Sequence, residues 1–565
     1  MATFHEIEIS NDPDADWDGQ GRPPGVARAT LLLVMITALL PIPYALSEVI
    51  PSQPPCAEVA DIEAESPETP CCGKRCVLGM DVEEMVIWRP GDPLPFSQAF
   101  GFSEESQETD AKVARAEALD DTATLAKIAA VVVQTPTPVA PVTEAPVASA
   151  PDASADTDDA AGAAPPSSPE KPPAPSISIP PAAYEGITAE IEDTKGAMAP
   201  FYRALKQTAL KKGKTRVSHW GDSVIAADGL THMTRRLLQT AFGDAGHGFI
   251  MVDSGTEWYR QKDVRWKSRG WKTANVIKKQ ARDGHYGYGG VSSRGYTGAW
   301  ATFGTSDKGP VGGSVSTFYI YHAKQPKQGQ LELRMDGGEP TMVDMTAETL
   351  TDAVHVVEVP DGPHKLRIRA MGGGVRVYGV AMERDIPGVV YDGIGMVGAR
   401  LRRLLNADPD HWKRQLQARA PDLVILMFGG NSLSDKTSIA RYEAGYRDAV
   451  KRFRESRPEA ACLLMSPVDH GVKVRRRART PERLIEMIDA QRRVALEEGC
   501  AYWSAYDAMG GRDSMAGWVS KGLAEGDYAH LTRQGSMVLG ELYFKALMKG
   551  FSDWLAQPAK VPPGD

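Results

Sequence analysis

The chain changes texture several times along its length. After a polar, acidic start, residues 29–46 (ATLLLVMITALLPIPYAL) are a run without a single charge. This run approaches the ~20 residues that cross a bilayer core. From about residue 101 to 181 periodicity vanishes, and Pro, Ala, Thr, Ser, Glu and Asp dominate. Such a segment cannot bury enough apolar surface to offset its ordering entropy. From about Ala182 to Ala556 the pattern becomes dense.

Helical and strand periods alternate within this dense region. Residues 187–213 have an amphipathic helical pattern, and Thr215–Trp220 reads as a strand. The tight turn Gly221-Asp222-Ser223 follows. Helical spacing then runs over Val224–Phe242, with Ile225, Leu230, Met233, Leu237 and Leu238 on one face. Further on, Asp422–Phe428 is an unbroken apolar run, as expected of a buried parallel strand. Helices are predicted over 399–418, 439–456 and 481–498, and strands over 461–467 and 501–508. Alternating βα units of this length predict a doubly wound parallel sheet, hence an α/β fold. Between the first units, roughly 249–388, short alternating runs such as VSTFYIYHA, QLELRMDGG and HKLRIRA are separated by Gly-rich turns. They predict an inserted antiparallel β-sandwich.

The expected organisation is therefore a cytoplasmic disordered tail (1–28), a transmembrane signal anchor (29–50), a Cys-containing extracytoplasmic segment (51–100) and a disordered Pro/Ala-rich linker (101–184). An α/β domain (185–252 and 386–557) follows, interrupted by a sandwich (253–385). Arg22 and Arg28 precede the apolar run, so the positive-inside rule places everything after it in the periplasm or outside the cell. The alternative is a signal peptide cut after Ser47, followed by secretion. Composition adds that the 565-residue chain is only 42% hydrophobic, which the tail and linker account for. The net charge of −9 and a pI near 5.8 argue against nucleic acid as a partner, because phosphate binding needs a concentrated basic surface. Cys56, Cys71, Cys72 and Cys76 read as disulfide cysteines in an oxidising compartment, with zinc as the runner-up. Cys462 and Cys500 lie in apolar surroundings, either as buried thiols or as one disulfide. No metal or cofactor is called for.

The candidate chemistry sits where strands pass into loops. Ser223 lies between a strand and a helix whose N-terminal N–H groups favour a developing oxyanion. Gly395 and Gly398 flank another strand-to-helix turn, and Gly429-Gly430-Asn431 ends the apolar strand. Asp527 and His530, three apart before the last helix, supply a base and the carboxylate that orients it. Asp228, early in the first helix, reads as a surface or capping residue, and His219 and His470 read as structural.

In this order the motifs resemble the four blocks of the SGNH (GDSL) hydrolase superfamily. The segments HWGDS, GDAGHGF and YDGIGMVGA, together with the inserted sandwich, look like the bacterial peptidoglycan O-acetylesterases. The resemblance implies a flavodoxin-like α/β/α esterase with Ser223 as nucleophile, His530 as base and Asp527 as its partner. It implies an oxyanion hole of the Ser223 and Gly398 N–H groups and the Asn431 amide, and an acylated glycan or other ester as substrate. Acyl transfer onto a glycan, or a non-catalytic glycan-binding module, are the alternative functions. Ser432 and Val224 stand where many relatives carry an acidic residue and several a His.

Overall fold

The computed structural model describes residues 2–9, 76–77, 80–81, 177–475 and 477–557. The chain forms two compact units, residues 25–112 and the remainder. Of the smaller unit only a short antiparallel pairing, Cys76–Val77 with Met80–Asp81, is described. The expected anchor at 29–50 and the side chains of Cys56, Cys71, Cys72 and Cys76 lie outside the described residues. Among the described residues no helix is long and apolar enough to cross a membrane.

The larger unit begins with a strand, β1 (Thr3–Glu8). The disorder expected of residues 1–28 is therefore corrected at this point. Ile179 and Ala183 are buried, so the end of the expected linker belongs to the domain. Helix α1 (Ala199–Ala209) buries Phe201, Tyr202 and Leu205 and leads into β2 (Lys214–Gly221). The helix expected over 224–242 is two pieces, α2 (Ser223–Ala226) and α3 (Gly229–Phe242). Asp228 stands between them in the left-handed region at φ 52°. Its side chain turns inward to Thr231, Arg235 and the Lys262 N–H, so a surface role for it is corrected. Gly229 cannot carry a side chain, because a Cβ there would lie 2.4 Å from Ser536 Cβ on the last helix.

Strand β3 (Gly248–Met251) already pairs with the inserted sandwich. The insertion continues through β4 (Val264–Arg269), β5 (Lys272–Asn275), β6 (Val291–Gly295), β7 (Trp300–Thr305) and β8 (Val315–Lys324). It then runs through β9 (Gln330–Met335), β10 (Pro340–Asp344), β11 (Thr351–Gly362), β12 (Lys365–Met371) and β13 (Val375–Glu383). One antiparallel sheet has the order β1-β11-β8-β13-β6-β5, with β3 also on β13; the facing sheet has the order β10-β9-β12-β7-β4. Alternation decides this fold: Leu331, Leu333, Leu366 and Ile368 are fully buried between the sheets.

The α/β domain resumes with β14 (Gly388–Gly395), α4 (Pro409–Arg419), β15 (Leu423–Met427), α5 (Ile439–Ser456), β16 (Ala461–Met465), α6 (Glu482–Glu497), β17 (Ala501–Trp503) and α7 (Arg533–Ala556). The helix expected over 399–418 is shortened, because Pro409 opens α4 and Asp408 caps it by accepting from the His411 N–H. The parallel sheet has the order β14-β2-β15-β16-β17. One face packs on α1, α3 and α7 through Val217, Ile425 and Leu463. The other face shares a single core with the sandwich, where Trp220 meets Tyr288 and Trp412. Cys462 and Cys500 are joined in a disulfide, which decides between the two readings of that pair.

Candidate active site

Register alone brings the motif strands together. Gly395 on β14 and Met427 on β15 both stand opposite Gly221 of β2. The three strands therefore end level, and the residues following each emerge at one carboxyl edge, where open α/β sheets place their sites. Close packing explains the glycines. A Cβ on Gly221 would lie 2.2 Å from Ile225 Cγ1, and one on Gly395 would lie 2.0 Å from the Ala226 nitrogen. Helix α2 therefore seats directly on the two strand ends, with Ser223 as its first residue. Asp222 caps α2 by accepting from the Val224 N–H at 3.2 Å.

The Gly turn and the Asn block close on the same point. The Met396 N–H donates to the Gly221 carbonyl at 2.9 Å, and Gly398 sits in the left-handed region at φ 77°. Asn431 Nδ2 donates to Asp222 Oδ2 at 3.1 Å and to the Ala399 carbonyl at 3.2 Å. Its amide thus lies between the serine turn and the glycine turn. Both acceptors are protein groups, so donation to an oxyanion requires Asn431 to exchange one of these bonds.

The Asp527–His530 segment is a self-bonded turn. Asp527 Oδ1 accepts from the Ala529 and His530 N–H groups, while Oδ2 is 2.6 Å from His530 Nδ1. Tyr528, between them, is held in the left-handed region at φ 57°, a conformation that needs outside support. The loop after β16 supplies it. The Gly471 N–H donates to the Tyr528 carbonyl at 2.7 Å, and Lys473 lies over the Tyr528 ring.

The charges agree with this placement. The hydrogen bond to Asp527 raises the His530 pKa above 6.5, with Asp222 and Glu525 adding to it against the effect of partial burial. Burial acts upward on Asp527, but the His530 side chain and the Ala529 and His530 N–H groups hold it down at about 2. Burial raises Asp222 to about 6, and the nearby His530 opposes that rise. His530 and Asp222 act on each other's charge, and contacts join the same segments: Gly471 holds Tyr528, the adjacent His470 packs on Gly430, and Asn431 bonds Asp222. Ser223, Asn431, the Gly395–Gly398 turn, Asp527 and His530 are therefore brought to one side of the sheet edge.

His470, which reads as structural in the sequence, is brought here as well. Its Nδ1 bonds to the Val468 carbonyl at 2.9 Å, and a Cβ on Gly430 would lie 2.8 Å from its Nε2. His530 and Asp527 both act on its charge. No local motif marks it, because the contact depends on β16 lying next to β15.

Among the described residues, His285, Asp352 and His411 have donor atoms within 4.8 Å of one another. Their bonding is that of a structural cluster. His411 Nδ1 is 2.7 Å from Asp352, His411 Nε2 accepts from the Gly287 N–H at 2.8 Å, and Arg414 pairs with the same carboxylate. Both His411 nitrogens are engaged, which leaves no lone pair for a cation.

With this geometry in view, residues 369–538 match the model of the GDSL-like lipase/acylhydrolase family. The chain resembles the SGNH (GDSL) hydrolases. The match includes the Gly turn, the Asn block and the Asp–His turn, but Ser223 lies before it, on the far side of the insertion. Among solved structures, a peptidoglycan O-acetylesterase matches at 25% identity and a TM-score of 0.55, over 64% of this chain and 99% of that chain. A family two carbohydrate esterase from Cellvibrio japonicus matches at 12% identity and a TM-score of 0.23, over 52% and 99% of the two chains. An acetylxylan esterase from Geobacillus stearothermophilus matches at 20% identity and a TM-score of 0.22, over 28% and 73%. Among curated proteins, nothing matches the chain.

Proposed function

We propose that the protein is a serine esterase that removes O-acetyl groups from a cell-envelope polysaccharide, with peptidoglycan as the first candidate. One observation supports the reading: the 2.6 Å Asp527–His530 pair lies on a turn held by Gly471, whose neighbour His470 packs on Gly430, while Asn431 bonds Asp222 of the Gly221–Ser223 turn. In this mechanism His530 Nε2 takes the Ser223 hydroxyl proton as Oγ attacks the acetyl carbonyl. The oxyanion is met by the Ser223 and Gly398 N–H groups and by the Asn431 amide. Collapse expels the sugar hydroxyl, which receives its proton from His530. Water, deprotonated by His530, then attacks the acetyl-serine and releases acetate. Asp527 holds the imidazole tautomer and stabilises the imidazolium.

The glycan reading has two supports. The likeness to the peptidoglycan O-acetylesterase extends over 99% of that protein. The insertion also offers one exposed aromatic residue on a loop tied to the serine helix: Trp258 is 62% exposed, and the Arg260 N–H bonds the Ala226 carbonyl at the end of α2. An exposed indole suits a pyranose face. The Cys462–Cys500 disulfide favours an oxidising, extracytoplasmic site of action.

The test is acetate release from O-acetylated peptidoglycan and from acetylated xylan, alongside aryl-acetate hydrolysis. Ser223→Ala should abolish all three. Hydrolysis that survives Ser223→Ala overturns the assignment. Aryl-acetate activity without acetate release from either glycan overturns the glycan reading alone.

A further inference from the structure

Strand β1 is the least expected element of the fold. It extends the first sandwich sheet with six antiparallel pairs, from Thr3 opposite Glu358 to Glu8 opposite Ala353. The Ile9 N–H continues the ladder to the Asp352 carbonyl at 3.0 Å. The side chains fit as closely as the backbone. Ile9 is 4% exposed and joins the sandwich core. Phe4 lies against the His355 ring, Glu6 pairs with Lys324 at 3.1 Å, and Thr3 donates to Glu358 at 3.1 Å. Ile7 covers a small cavity shared with Tyr319, Tyr321, Ala418 and Arg419. Because Ala418 and Arg419 belong to α4, the strand also covers the seam between the sandwich and the α/β domain.

Without β1, the edge of the sheet would be β11, a strand of twelve residues, Thr351–Gly362. A long edge rich in valines is a template for strand addition, and native sheets seldom leave one bare. Segment and edge are matched in register, in charge at Glu6–Lys324 and in apolar content at Ile7 and Ile9.

This pairing constrains the topology. The chain between Ile9 and the rest of the unit contains the apolar run 29–46. If that run crossed a membrane once, Ile9 and β11 would face opposite sides and the ladder could not form. Cleavage after Ser47 would remove the strand altogether.

We propose that the edge of β11 is a strand-docking surface occupied by the chain's own residues 2–9. Strand β1 and the catalytic unit then lie on the same side of any membrane. No residue of the esterase site takes part, so Ser223-dependent hydrolysis does not depend on the outcome; an extracytoplasmic site of action, however, requires residues 2–9 to be outside as well.

The test uses the full chain. Hydrogen exchange should show the amides of residues 4–9 on the order of a hundredfold slower than in an unstructured chain. Deleting residues 2–9 should release the β11 edge amides, and the free peptide ATFHEIEI should restore their protection. In intact cells, Thr3→Cys with Glu358→Cys, treated with a short permeant bis-maleimide, should give a linked peptide within one chain, absent from either single variant. Exchange of residues 4–9 at the unstructured rate overturns the docking. A link found only between two chains overturns the choice of occupant. Protection in the purified chain without a link in cells overturns the shared side.

Discussion

His530 is both the most exposed and the most constrained of the proposed catalytic groups. Asp527 raises its pKa, so the neutral base accumulates only above the ordinary histidine range of about 6.5. The acidic limb of kcat/KM on an aryl acetate should therefore have its midpoint above pH 6.5. In Asp527→Asn the chief cause of the rise is gone. The midpoint should move down, and kcat should fall by about 10²–10⁴-fold through loss of the tautomer lock. An unchanged midpoint would mean that Asp527 is not the group acting on His530. Asp222 makes a separate prediction. Its folded pKa of about 6 lies above its unfolded value because of burial. The stability it contributes is full below its unfolded pKa and is lost as pH rises through about 6. Thermal denaturation of Asp222→Ala should lack that component of the pH dependence.

At the scale of elements, two glycines of one turn separate two physical demands. A Cβ on Gly395 meets backbone atoms of α2 at 2.0–2.2 Å, whereas Gly398 has open space around it but a φ of 77°. Gly398→Ala should cost only the left-handed penalty of roughly 1–2 kcal/mol. Gly395→Ala must displace α2, and with it Ser223. It should cost at least the ~1–3 kcal/mol of an overpacked site and should depress kcat as well. Urea unfolding and aryl-acetate kinetics on the two variants check the order; equal losses would mean that α2 does not rest on β14. The same close packing explains why the periodic stretch over 224–242 forms two helices instead of one. Hydrophobic spacing is indifferent to the single left-handed residue, Asp228, that lets Gly229 approach Ser536.

For the whole molecule, the sandwich is fastened to the α/β domain by buried charge as well as by a shared core. Glu383, at the end of β13, is fully buried and meets Arg216 of β2 at 2.9 Å and Arg419 of α4. Arg419 reaches Asp392 of β14 at 2.8 Å, and Asp392 accepts from the Tyr288 hydroxyl of the insertion at 2.9 Å. Removing one partner of such a network strands the others. Glu383→Gln should therefore cost about 3–5 kcal/mol, read from urea midpoints. Because the core is continuous across the seam, sandwich and α/β domain should unfold in a single transition. A separate early transition in wild type would show that the insertion stands alone.

The order of βα units and the sandwich alternation were legible in the sequence, because each is a local pattern of period or of turn residues; the proposed site residues were marked by the same turns. The convergence of the blocks was legible only by resemblance. What physically aligns Ser223, Gly398 and Asn431 is the register of Gly221 with Gly395 and Met427, which no single segment encodes. His470, the inward turn of Asp228 and the Cys462–Cys500 bond depend likewise on which strands and helices become neighbours. The N-terminal residues show the limit most plainly. Six residues of mixed polarity, Thr3–Glu8, form too short a run to register as structure by themselves. They become a strand because a matching edge, hundreds of residues away, pairs the backbone groups along one side of them.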